Sequence, residues 1–181
     1  RSQVWDCPNV DELLAECQYR VFATDMLASG LEAKERADML VKYVDALLEL
    51  YPSCKAVVFG PSHKFLSRES IENHSDKAVT RFIYYAVNVR YFSIQGTEDM
   101  IVDSLGMSTL FLPDVQYHFH GMNPDEVVNH AYSVLYYIFE HDNPIGDGET
   151  IAGLENGDMS PDIQWKVQYE DSLIQPVREV L

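Results

Sequence analysis

The sequence predicts one compact α+β domain over residues 1–181, with a mixed or mainly antiparallel sheet and helices packed on one face. Three observations lead there. Apolar residues recur at helical spacing in two long stretches. Strand-like segments come in runs and not in strict alternation with helices. No Pro-, Gly- or Ser-rich linker divides the chain. A chain of 181 residues buries roughly 70% of its unfolded surface, enough for a core without disulfide or metal staples.

Each element has its own signal. Asn9-x-x-Glu12 predicts a capping box and a helix to about Cys17, and Tyr19–Ala23 predicts a strand. Ala37, Leu40, Val41, Val44, Leu47, Leu48 and Tyr51 follow i, i+3, i+4, i+7 spacing, so a helix is expected there, stopped by Pro52. Lys55–Phe59 predicts a buried strand ended by Gly60-Pro61. Together these segments suggest a strand–helix–strand crossover, right-handed if its strands are parallel. Pro61–Lys77 is polar and predicts a loop. Ala78–Ala86 predicts a helix, Val87–Ile94 a strand, Gln95-Gly96 a turn and Met100–Leu105 a further strand.

The sharpest strand pattern runs from Asp114 to His120. Asp114, Gln116, His118 and His120 fall on one face, and Val115, Tyr117 and Phe119 on the other. Asn123 then predicts an N-cap, with Pro124 at the first helical position and Asp125 and Glu126 in the first turn. Val127, Val128, Ala131, Val134, Leu135, Ile138 and Phe139 form the expected buried stripe, directed at Val115, Tyr117 and Phe119. Beyond Asn143-Pro144 come a Gly146–Gly148 turn, a short strand at Thr150–Ala152, a polar loop over Asn156–Asp162 and a half-exposed strand over Ile163–Glu170.

Charge is distributed unevenly. The chain carries 13 Lys and Arg against 29 Asp and Glu, a net charge of −16. Residues 1–90 contribute −2 and residues 91–181 contribute −14; between Tyr91 and Trp165 there is no Lys or Arg. Phosphate binding needs clustered basic groups, so nucleic acid and anionic membrane are not expected partners. No apolar run reaches the ~18 residues of a bilayer span. Cys7, Cys17 and Cys54 cannot all pair within the chain, which fits reduced thiols in the cytoplasm. The chain opens at Arg1 and not at a methionine, which leaves room for a preceding segment.

Several constellations are candidates for chemistry. His118 and His120, two apart on a strand, lie about 7 Å apart at Cα. With Asp114 they are the candidate metal ligands, zinc being the natural guest, if a further ligand such as His130, His141 or Asp142 closes the site. The opposing reading is a solvated polar face. Gln116, Asp142, Asp147 and Glu149 are candidate interaction residues, the last three crowding a turn that lacks the calcium-loop pattern. Cys54 with His63 reads as a nucleophile–base pair or as a structural cysteine beside an apolar strand. Trp5 and Trp165 read as core. No phosphate loop, dinucleotide fingerprint or nucleophile elbow is present, so no cofactor is expected.

Five segments together carry a resemblance: Asp103–Met107, Leu112–Phe119, Asn123–Val128, Asp147–Gly153 and Tyr169–Arg178. They resemble the bacterial family called domain of unknown function 4261, over about Asn88–Leu181. The resemblance implies an intracellular bacterial protein and brings no reaction, cofactor or catalytic residue. It directs attention to Pro113–Phe119 and Asp147–Gly153.

Three functions follow as expectations. The first is a non-enzymatic interaction or regulatory domain, immunity-type roles included, whose acidic half binds a basic protein. The alternative is a metal-dependent or hydrolytic enzyme using the His118/His120 face. The third is a homo-oligomer formed through exposed Tyr84, Tyr85, Tyr91 and Phe92.

Overall fold

The computed structural model describes residues 4, 7, 9–25, 30–74 and 78–181. Among them, five helices and nine strands make an α+β fold of small antiparallel sheets. Contacts divide the chain at a point where its composition shows no linker, giving two compact units, Arg1–Val87 and Asn88–Leu181.

The N-terminal unit contains α1 (Val10–Glu16), α2 (Ala33–Leu50), β1 (Ala56–Phe59), β2 (Lys64–Ser67), α3 (Arg68–Glu72) and α4 (Ala78–Ala86). Helix α2 buries Ala37, Val41, Val44 and Leu48, the stripe its spacing predicts, and packs against α4. Its C-terminal carbonyls are satisfied from outside the helix. Arg68 Nη1 donates to the carbonyls of Leu48, Tyr51 and Pro52 at 3.1, 3.2 and 3.2 Å, placing a cation at the negative end of the helix.

Three expectations for this unit are corrected. Tyr19–Ala23 forms no strand; Tyr19 and Phe22 are 88% and 90% exposed, because strand-forming residues need a ladder partner and the fold gives them none. The Pro61–Lys77 stretch is not a loop throughout. Lys64, Phe65 and Leu66 are buried in β2, and Ser67 caps α3 by accepting from Ser70 N–H at 3.0 Å. Its residues 75–77 lie outside the described residues, as does Trp5. β1 therefore pairs with β2 in an antiparallel hairpin, Ala56 opposite Ser67 and Phe59 opposite Lys64, and makes no parallel crossover.

In the C-terminal unit β3 (Asn88–Ser93), β4 (Asp99–Leu105) and β5 (Gln116–His120) form an antiparallel meander. Helix α5 (Pro124–Glu140) packs on β3 and β4. Its start is as predicted, with Asn123 Oδ1 accepting from Asp125 N–H at 3.0 Å. Its buried stripe takes in His130, at 1% exposure, in place of the half-buried Val128. The helix ends where Asp142 and Asn143 turn left-handed and Asn143 N–H reaches back to Ile138 O at 2.8 Å.

Strands β6 (Thr150–Glu155) and β7 (Asp158–Lys166) form a hairpin where a polar loop was expected, and β7 ends three residues before Tyr169. The turn is Asn156-Gly157, both at positive φ (53° and 89°), the geometry that suits the right-handed twist of the strands. The register shifts between Ala152 and Gly153. A β-carbon on Gly153 would lie 2.6 Å from Trp165 Nε1 and 2.7 Å from Ile163 Cγ2. Gly153→Ala is therefore expected to lower stability by about 1–3 kcal/mol through overpacking; a urea midpoint equal to wild type would contradict this contact. The chain closes with β8 (Glu170–Asp171) paired to β9 (Glu179–Val180).

Candidate functional site

The face predicted from the Asp114–His120 alternation exists, and the register extends it. Gln116 lies opposite Asp103, His118 opposite Ile101, and His120 opposite Asp99; Arg90 lies opposite Asp103 on the other side. Side chains opposite one another in antiparallel strands share a face. The two ends of this face differ, because the C-terminal segment covers one of them.

At the covered end, Asp114 is 1% exposed, and this corrects its assignment to the same open face as the histidines. It forms a parallel bridge to Val180, and its carbonyl accepts Leu181 N–H at 2.9 Å. Its carboxylate accepts from Ser104 Oγ at 2.7 Å, Met107 N–H at 3.2 Å and Gly106 N–H at 3.3 Å, and from Arg178 Nε at 3.2 Å. Burial pushes the Asp114 carboxyl above its ordinary value, and Ser104, Arg178 and the two backbone N–H groups pull against it. Gln116 is likewise occupied: its Oε1 accepts Leu173 N–H at 2.8 Å and its Nε2 donates to Glu170 at 3.4 Å.

Around Asp114 lies a network that the sequence reading did not anticipate. Asp103, fully buried, receives Arg90 through Nε at 2.9 Å and Nη2 at 2.5 Å, and Arg178 Nη2 at 2.8 Å. Arg178 also donates to the Ser104 carbonyl, and through Nη1 to Ser172 Oγ, Ile174 O and Pro176 O at 3.2, 3.3 and 3.0 Å. Arg90 Nη1 donates to Gln175 O at 3.1 Å. Two arginines and two aspartates thus cancel in charge while fixing the last turn of chain to the sheet. The available signal was a charge inside an apolar strand pattern, as in Val89-Arg90-Tyr91 and Val102-Asp103-Ser104.

At the open end, His118 and His120 stay together, 50% and 61% exposed at the side chain, and meet carboxylates of the β3–β4 turn and β4. His118 Nε2 is 3.8 Å from Asp99; His120 Nδ1 is 3.3 Å from Asp99 and its Nε2 3.6 Å from Glu98. The two nitrogens of His120 thus address different carboxylates. Among the described residues no group of three or more His, Cys, Asp or Glu side chains is arranged to hold a metal. His130 lies elsewhere, buried under Tyr117 and Trp165, and His141 is exposed at the end of α5.

The other candidates are placed as follows. Asp142 is exposed at positive φ. Asp147 accepts Tyr169 N–H at 3.0 Å, tying the turn to the segment after β7, and Glu149 accepts Gly146 N–H at 2.7 Å, closing the turn itself. Cys54 donates to Ala56 O at 3.3 Å. Tyr85 is fully buried, and Tyr84, Tyr91 and Phe92 are half-buried, so these four do not form the exposed patch expected of an oligomer face. Two open depressions of about 540 and 490 Å³ occur in the N-terminal unit; Arg68 and Glu72 border both, and no residue of 88–181 lines either.

A three-stranded meander under one helix, closed by a charge-clamped C-terminal segment, defines the C-terminal unit as a small α+β domain. Residues 103–181 match the family model described as domain of unknown function (DUF4261), so this part of the chain is similar to that family. No curated protein and no solved structure matches the chain. The family match begins at Asp103 and contains Ser104, Asp114 and Arg178 of the buried network.

Proposed function

We propose that residues 88–181 act as a non-enzymatic interaction module that binds a basic protein, in a regulatory or immunity-type role within the bacterial cytoplasm. The observation that carries this reading is the fate of the basic residues. This unit has only three, Arg90, Lys166 and Arg178, against 16 Asp and Glu. Arg90 and Arg178 are used inside, on Asp103 and Asp114. Lys166 is then the one cation left to offset the other 14 carboxylates. Such a field speeds encounter with a basic partner and repels acidic ones. The three cysteines of the other unit form no disulfide with one another, which supports a reducing compartment.

Neutralisation tests this, at positions that hold no turn. Asp147 and Glu149 are unsuitable, since each accepts a backbone N–H. Asp142, Asp158 and Asp162 are exposed. The triple Asn variant is expected to slow association with a basic partner captured from the host by about 10-fold, with smaller effects on dissociation. Raising salt should do the same as the Debye length falls from ~10 Å at 0.1 M to ~3 Å at 1 M. An on-rate indifferent to both would mean that the acidity serves solubility.

The enzyme reading keeps one observation in its favour, the shared face of His118, His120 and Asp99. Zinc titration separates the two: equal and negligible uptake by wild type and by the His118→Ala, His120→Ala double variant is expected. Uptake lost in the double variant would favour the metal site.

A further inference from the structure

The C-terminal hairpin presents a specific surface. Its ladder pairs Glu170 with Val180 and Asp171 with Glu179, and Ser172 N–H continues it by donating to Arg178 O at 2.8 Å. The same register brings Leu173 opposite Val177, on the face that carries Asp171 and Glu179. Ser172 is buried and the Arg178 side chain is 11% exposed, whereas Leu173 and Val177 are 57% and 58% exposed. The inner side of the loop is therefore polar and filled, and the outer side apolar and bare.

The loop is held from within. Arg178 takes the carbonyls of Ile174 and Pro176 and the hydroxyl of Ser172, and Arg90 takes the carbonyl of Gln175. Ser172 Oγ also donates to Ile174 O at 3.0 Å and receives Arg178 N–H at 3.2 Å. With its carbonyls drawn inward, the loop turns Leu173 and Val177 outward with little freedom left to lose. Binding costs are largest where loops must be ordered, so a pre-ordered apolar tip is suited to contact.

We propose that the Ser172–Arg178 loop is a docking tip, and that Leu173 and Val177 enter an apolar depression on a partner protein whose rim is rich in Lys and Arg. The proposal rests on the acidic-module reading above and names the surface it uses. Charge complementarity selects the occupant. Asp171 and Glu179 flank the apolar pair, with Glu170 one residue away, so basic groups around the depression would meet carboxylates at the edge while the centre stays apolar. A second copy of this chain is a poor fit, since two-fold pairing of this face would bring two Asp171 and two Glu179 together.

The test uses the full chain, isotope-labelled, and two defined peptide probes of equal positive charge. One is an amphipathic helix with a leucine face and a lysine face; the other has serine in place of leucine. At 0.15 M salt the leucine probe is expected to bind about 10-fold more tightly, since closing over two half-exposed aliphatic side chains removes that much surface from water. Its amide shift changes should centre on Asp171, Leu173, Val177 and Glu179. A Leu173→Ser, Val177→Ser variant with an unchanged melting temperature should lose that advantage. If both probes bind equally to wild type and variant, the docking tip is overturned and the acidic module stands. If neither probe binds, both readings fall. A wild-type dimer in sedimentation that becomes monomeric in the variant would show a self-contact and overturn the basic partner.

Discussion

Arg178→Met is expected to lower the stability of the C-terminal unit by about 3–5 kcal/mol, because it strips one member from a buried charge network and leaves the others in place. The side chain donates to Asp103, Asp114, the Ser104 carbonyl, Ser172 Oγ and the carbonyls of Ile174 and Pro176. Methionine fills part of the volume and satisfies none of these acceptors. Asp103 keeps Arg90, but Asp114, at 1% exposure, keeps only the Ser104 hydroxyl and two N–H groups. Since whole domains are stable by only about 5–15 kcal/mol, the loss is a large fraction of the total. Asp114→Asn should cost less, because the uncompensated charge it leaves is positive and sits in a unit with a large acidic excess. The two variants also differ with pH. In the fold the Asp114 carboxyl lies above its unfolded value, so its ionisation destabilises as pH rises through the folded pKa, and this penalty is absent below the unfolded value. Removing Arg178 takes away a group that opposes the shift. The deficit of Arg178→Met relative to wild type should therefore shrink as pH falls from neutrality toward the ordinary carboxylate range near 4. Amide exchange of β4 reads both effects; equal protection in variant and wild type at neutral pH would reduce the network to an ornament of the surface.

The parts of this fold that were legible in the sequence are those written in local chemistry. Helix α5 announces itself by Asn123, Pro124 and a long apolar stripe, and Ala78–Ala86 was placed to the residue. The alternation of Gln116–His120 correctly separated Tyr117 from the histidines. What failed depends on distant partners. Tyr19–Ala23 has strand residues and no strand beside it, while Phe65 and Leu66 sit in a polar stretch yet pair with Val57 and Val58. Asn156-Gly157 was a readable hairpin signal that the surrounding polar residues concealed. Asp114 obeyed the period of its strand and still ended buried, because alternation assigns a face and cannot show that Arg178, 64 residues away, will cover it. The candidate site was legible to the same degree: the His pair stayed together, its third ligand did not arrive, and the acidity became more pronounced once the arginines were found inside.

Tyr117→Ala is expected to cost about 3 kcal/mol, the lower end of the loss for a large aromatic side chain, since Tyr117 is half-buried. Its ring stands edge-on to His130 at 5.5 Å and to Trp165 at 6.1 Å, so truncation opens a space against two aromatic neighbours from α5 and β7. The hydroxyl adds a polar term. His130 Nε2 lies 2.7 Å from Ala152 O, which can only accept, so Nε2 carries the proton and Nδ1 is bare. Tyr117 must then be the donor in its 3.0 Å bond to Nδ1. Tyr117→Phe keeps the ring and orphans that nitrogen, a smaller cost of about 1–3 kcal/mol. The same geometry sets a pH dependence. Burial holds the His130 pKa below its ordinary value, with the Ala152 carbonyl pulling the other way. A folded pKa below the unfolded one means that the stability from neutral His130 is complete above about pH 6.5 and is lost as pH falls through the folded pKa. Over that range wild type should lose stability that a His130→Phe variant, with nothing there to protonate, does not lose. Urea titrations at neutral and mildly acidic pH measure all three effects. A Tyr117→Ala midpoint equal to wild type would reverse the choice of buried face, and parallel pH profiles for wild type and His130→Phe would mean that the imidazole is not enclosed as its bonds to Tyr117 and Ala152 require.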